Sequence, residues 1–174
     1  MIRIPYAVGN YEEIVNEGYY FVDKTAYLAE LEQYKAPVFL RPRRFGKTLL
    51  CSILECYYDI NRADKFDSLF GNTWIGKNPT REKSSHMVMR FNFSQVAVTD
   101  SMEQIEESFS LICGAVFDSF FKNYATFFSG KSFKEGKISD MLSQTLKHIK
   151  TNNLPQLYII IDEYDNFTNQ LIQS

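Results

Sequence analysis

Two short runs in this chain carry residue types that handle phosphate and metal. One is Arg41-Pro42-Arg43-Arg44-Phe45-Gly46-Lys47-Thr48; the other is Asp162-Glu163, directly after Leu157-Tyr158-Ile159-Ile160-Ile161. A phosphate loop of the form G-x-x-x-x-G-K-[ST] uses glycine to bring backbone close to an anion. Its following helix points free N–H groups at the same place, its lysine reaches the outer phosphates, and its hydroxyl holds Mg²⁺. Gly46, Lys47 and Thr48 meet the end of that pattern, while Arg41 stands where the first glycine belongs. The amides around Arg44 to Thr48 are the main cradle, so Arg41 does not forbid phosphate binding. Pro42 has no N–H and stiffens the entry. The expected nucleotide contacts are therefore Arg43, Arg44, Phe45, Gly46, Lys47 and Thr48. Taken alone, the run also reads as a basic turn opening a core helix.

The acidic pair supplies the complementary chemistry. An Asp at the carboxyl end of a buried strand lies where open α/β sheets bind ligands. Asp162 and the Thr48 hydroxyl are expected to hold Mg²⁺, and Glu163 is the expected catalytic residue, polarising the attacking water. The bland alternative is a strand that ends at solvent on two acids. The two runs together, in this order, form the paired signature of a nucleotidase. Arg41, Arg43, Arg44 and Lys47 also crowd positive charge into seven residues. Arg43 and Arg44 have two readings, contact with phosphate or ion pairs with Asp23, Asp162, Glu163 or Asp165. For Arg41 structural pairing leads.

These runs need elements to position them. Val38-Phe39-Leu40 reads as a short buried strand, and 46–59 as a helix with Leu49, Leu50, Ile53, Leu54, Tyr57 and Tyr58 at three- and four-residue steps. A helix is also expected in Lys24–Tyr34, with Ala26, Leu28, Leu31 and Tyr34 as its stripe. Residues 60–86 read as an irregular connector in which Phe66–Phe70 and Thr73–Ile75 pack. Residues 86–94 alternate like a strand. Apolar steps from Ser101 to about Phe128 predict one long helix, with Ser101 and Gln104 as its capping box. A further helix is predicted over about 136–151, and 157–161 is a continuous apolar strand. Strands alternating with helices, and buried on both faces, predict an α/β layered fold with parallel strands. The rings, Trp74 among them, read as core.

Bulk properties narrow the function. The 174 residues are 45% hydrophobic and 16% aromatic with a net charge of −2, which describes a globular chain not built mainly to coat nucleic acid or anionic membrane. The three cysteines, Cys51, Cys56 and Cys113, lie in apolar helical patterns without a C-x-x-C pair and read as reduced core thiols. His86 and His148 are isolated, so no zinc site is expected. No run has signal-peptide or membrane-span character, and the expected setting is cytoplasmic with no membrane partner.

Phe21-Val22-Asp23-Lys24-Thr25, Arg41–Thr48 and Ile161-Asp162-Glu163-Tyr164-Asp165 together resemble the AAA-ATPase-like family of bacterial P-loop proteins, as does Phe66-Asp67-Ser68-Leu69-Phe70-Gly71. The Arg-rich loop is similar to that family's own form, and the likeness covers essentially the whole chain. It implies a three-layer P-loop NTPase core with a mainly parallel sheet, here truncated after the Walker-B strand. Residues 1–35 would be a lead-in segment and 36–174 the nucleotide-binding core of one domain. It also implies ATP and Mg²⁺ as ligands. Family members commonly continue into a nuclease-like domain, so this reads as the amino-terminal part of a longer protein, an ATPase when complete. Partners expected are nucleotide, further copies of the chain, and nucleic acid through that downstream domain. Two other functions compete, a nucleotide-sensing or scaffold module without turnover and a nucleic-acid-binding piece using the Arg cluster.

Overall fold

A computed structural model of the protein describes residues 2–40, 45–96, 101–129, 131, 133 and 136–164. The chain divides into two compact units, Met1–His86 and Met87–Ser174.

The first unit is helical. It holds α1 (Tyr11–Asn16), α2 (Tyr27–Leu31), α3 (Lys47–Tyr58), a 3₁₀ turn (Ile60–Lys65), α4 (Phe66–Phe70) and α5 (Trp74–Lys77). Asn10 caps α1 by accepting from the Glu13 N–H, and Glu12 and Glu13 suit the positive end of that helix. Tyr11 then ties three helices together. Its N–H donates to Ser52 Oγ on α3 at 2.9 Å, and its hydroxyl donates to the Leu69 carbonyl of α4 at 2.9 Å. Its ring meets Phe21 and Phe70, and Phe70 and Phe66 in turn meet Tyr57. Arg62 closes the rim with ion pairs to Glu12, Glu55 and Asp59.

The second unit contains the sheet. It comprises β1 (His86–Asn92, whose first residue ends the first unit), α6 (Met102–Asn123), α7 (Ala125–Phe128), α8 (Ile138–Thr151) and β2 (Gln156–Asp162). Among the described residues β1 and β2 form a parallel two-stranded sheet, so the fold is mixed helix and strand. Phe91 of β1 packs on Phe117 of α6, and Phe120, Phe121, Tyr124 and Phe128 continue that aromatic core. The Val88 N–H donates to the Tyr124 hydroxyl at 2.9 Å, which pins the start of β1.

Several sequence expectations change. Val38-Phe39-Leu40 is not a strand, and Val38 and Leu40 are 71% and 81% exposed. A three-residue run becomes strand only through a ladder, and the pairings among the described residues are β1 with β2 and a single bridge between His86 of β1 and Asp59, none of them to 38–40. β2 is not buried on both faces: Ile160 and Asp162 turn inward while Ile159 and Ile161 are exposed. The connector 60–86 is helical over much of its first eighteen residues, because Asp59 caps the 3₁₀ turn and Thr73 caps α5 by accepting from the Gly76 N–H, while residues 78–85 lie outside helix and strand. The helix in 24–34 shrinks to five residues, of which only Leu28 is buried. Tyr124 divides the long helix from α7 by leaving helical geometry (φ −113°, ψ 29°), and its side-chain hydroxyl accepts from the Val88 N–H. Trp74 is exposed, not core.

Candidate functional site

Gly46 occupies the cap of α3 in the left-handed region, with φ 75° and ψ 21°. A β-carbon there would meet nothing within 4 Å, so the backbone conformation and not crowding asks for glycine. A glycine cap offers no side-chain acceptor to the first-turn amides. Lys47 and Thr48 therefore open a twelve-residue helix at its positive end. The Thr48 methyl faces backbone from the lead-in: a β-carbon on Gly9 would lie 3.1 Å from Thr48 Cγ2.

A cleft of about 660 Å³ opens beside this turn. Tyr20, Tyr27, Tyr34, Phe39 and Phe45 line it with Lys47. Small-molecule sites usually enclose about 300–1,000 Å³ behind mainly apolar walls and a few polar groups. The cleft has that size and that make-up. Its aromatic lining comes largely from residues 20–34, which sequence reasoning left as lead-in; the signal was there in three tyrosines flanking the F-V-D-K-T run.

Within that run Asp23 and Thr25 make structural hydrogen bonds, while Lys24 is exposed and lines the cleft. Asp23 accepts from the Thr25 N–H at 2.8 Å and from the Trp74 N–H at 2.7 Å. Thr25 Oγ1 accepts from the Ile75 N–H at 3.1 Å. Together they hold the opening amides of α5. Burial pushes the Asp23 carboxyl up, but hydrogen bonds from Thr25 and Trp74, with Lys77 nearby, leave it below its ordinary range.

In the second unit, Asp162 ends β2 with 3% of its surface exposed. Its Oδ2 accepts from Arg90 Nη2 at 3.1 Å, and Arg90 stands on the neighbouring strand β1. Sequence reasoning passed over Arg90. The clue was a lone cation within His86-Met87-Val88-Met89-Arg90-Phe91, since a strand this apolar obliges a charge to find its opposite. Glu163 follows half-buried, with φ 55°.

Among the described residues no three His, Cys, Asp or Glu side chains gather to hold a metal. Mg²⁺ does not need such a cage; one or two hard oxygens plus water and phosphate suffice. The Thr48 hydroxyl and the Asp162 carboxylate are donors of that kind. Thr48 belongs to the first unit and Asp162 to the second. Arg41, Arg43, Arg44 and Asp165, to which phosphate contacts or ion pairs were assigned, lie outside the described residues. Cys56 and Cys113 are buried thiols, each pushed up to about 11 by desolvation.

No described helix is long and apolar enough to cross a membrane. A family model described as a predicted AAA-ATPase matches residues 5–174. No curated protein and no solved structure matches the chain.

Proposed function

Since the chain belongs to the predicted AAA-ATPase family, we propose that it binds ATP with Mg²⁺ at the opening turn of α3. The observation that carries this reading is the left-handed Gly46 presenting Lys47 and Thr48 beside an aromatic cleft large enough for a nucleoside. The amides that begin α3 would cradle phosphate, joined by Phe45, Arg43 and Arg44, which precede it in sequence. Lys47 would neutralise the outer phosphates. The rings of the cleft would take the base by stacking, an interaction worth about 1–3 kcal/mol per base. Thr48 and Asp162 would hold Mg²⁺, whose charge would offset that of the phosphates. Glu163 would polarise the attacking water.

The test separates phosphate from base. In titration calorimetry with Mg²⁺, ATP should bind the wild type and bind Lys47→Ala far more weakly. Tripolyphosphate should bind more weakly than ATP, by roughly five- to a hundredfold for a stacked base. Equal heats for wild type and Lys47→Ala, or none for either, would reject the reading.

A further inference from the structure

We propose that Arg90 is the resident counter-ion of Asp162, and that a divalent cation reaches this carboxylate only by displacing the guanidinium. The inference rests on the assignment of Asp162 to the metal. Asp162 is almost wholly buried, whereas the Arg90 side chain is 23% exposed. A buried carboxylate needs a positive partner, and Arg90 Nη2 supplies one at 3.1 Å. A metal bound to the same carboxylate would sit within a few ångströms of that guanidinium, and two cations so close repel. The partially exposed arginine is the member of the pair that can swing toward solvent; the aspartate, at the end of a paired strand, cannot. Arg90 thus keeps the carboxylate charge-balanced without metal and sets a threshold for metal entry. It acts through Asp162 and is a positioning residue.

The arrangement has a signature that plain structural pairing lacks. Removing Arg90 should leave a carboxylate whose missing partner a metal can replace. An arginine within about 4–6 Å weakens a carboxylate's hold on a proton by one to three decades, and a divalent cation meets the same opposing charge, so Arg90→Met should tighten Mn²⁺ binding by roughly tenfold or more. Free Mn²⁺ is counted by electron paramagnetic resonance on the full chain. The melting temperature of Arg90→Met should fall without metal and recover as Mn²⁺ is added, while the wild type moves little. Arg90→Gln, which keeps a hydrogen-bond donor and should fold if the methionine variant does not, is expected to tighten Mn²⁺ in the same sense. Arg90→Lys, which keeps the charge, should not. Unchanged or weaker Mn²⁺ affinity in the neutral variants, with Asp162→Asn abolishing binding in all backgrounds, would overturn the role of Arg90 and spare the metal assignment. Mn²⁺ binding untouched by Asp162→Asn would instead overturn the metal assignment and this inference with it.

Discussion

Gly46 and Glu163 share one backbone conformation and answer it with opposite residue types. Both lie in the left-handed region, Gly46 at φ 75° before α3 and Glu163 at φ 55° after β2. A side chain there costs roughly 1–2 kcal/mol. Open space around Gly46 means that Gly46→Ala should lose about 1 kcal/mol through backbone strain alone. At Glu163 the strain is already present, so Glu163→Gly should be neutral or stabilising by up to about 1 kcal/mol, the relief being partly offset by chain entropy. Glu163→Gln keeps the backbone preference and should match the wild type. Urea unfolding of the three variants measures all of this; a large loss in Glu163→Gly would mean that its carboxylate holds the fold. A strained non-glycine residue after a buried acid also suits a group held for chemistry, in keeping with the water-activating role proposed for Glu163.

Among the elements, α5 depends on contacts distant in sequence. Its four residues make too little of their own hydrogen bonding to persist alone. Asp23 and Thr25 hold its Trp74 and Ile75 amides from 51 and 50 residues away. Gly76 lets it pack: a β-carbon there would lie 1.8 Å from the Phe70 carbonyl oxygen. That oxygen is backbone and already accepts from Thr73, so it cannot step aside cheaply. Gly76→Ala should therefore cost about 3 kcal/mol or more. Asp23→Ala, which removes two hydrogen bonds at an exposed carboxylate, should cost about 1–2 kcal/mol. Thermal unfolding followed by Trp74 fluorescence, the chain's single tryptophan, reads both changes at the element concerned. The reverse order of costs would mean that α5 is held by capping more than by packing.

For the molecule as a whole, the depressed carboxyls set a pH dependence. Hydrogen bonds and charge from Lys65 and Arg62 hold the Glu12 carboxyl below its usual range, outweighing its partial burial, and Asp23 is lowered as described. An acid whose folded pKa lies below its unfolded value, near 4, contributes stability that is complete above that value. That contribution is lost as pH falls through the folded value. Melting temperature should thus hold from neutral pH to about 5 and then fall. The Glu12→Gln/Asp23→Asn double variant should melt lower at pH 7 and fall less steeply in acid. Parallel curves for the two proteins would show that these carboxyls do not govern the acid transition.

Gly46-Lys47-Thr48 opening a helix, the strands near 86–92 and 156–162, the long helix over 102–123 and the family itself were legible in the sequence, because each rests on local spacing, capping or a contiguous motif. Arg90 as partner of Asp162, 72 residues apart, was not, because strand neighbours are chosen by the sheet and not by the chain. Nor was the engagement of Asp23 with α5, which only packing brings within reach. Exposure of Val38, Leu40, Ile159 and Ile161 was misjudged for a related reason: an apolar residue records that burial would be favourable, and which surfaces are covered is decided by tertiary packing. The sequence by itself determined the residue chemistry and the local turns that display it. The tertiary structure decided which charges meet and which lead-in residues wall the cleft, since both depend on distances that no local rule encodes.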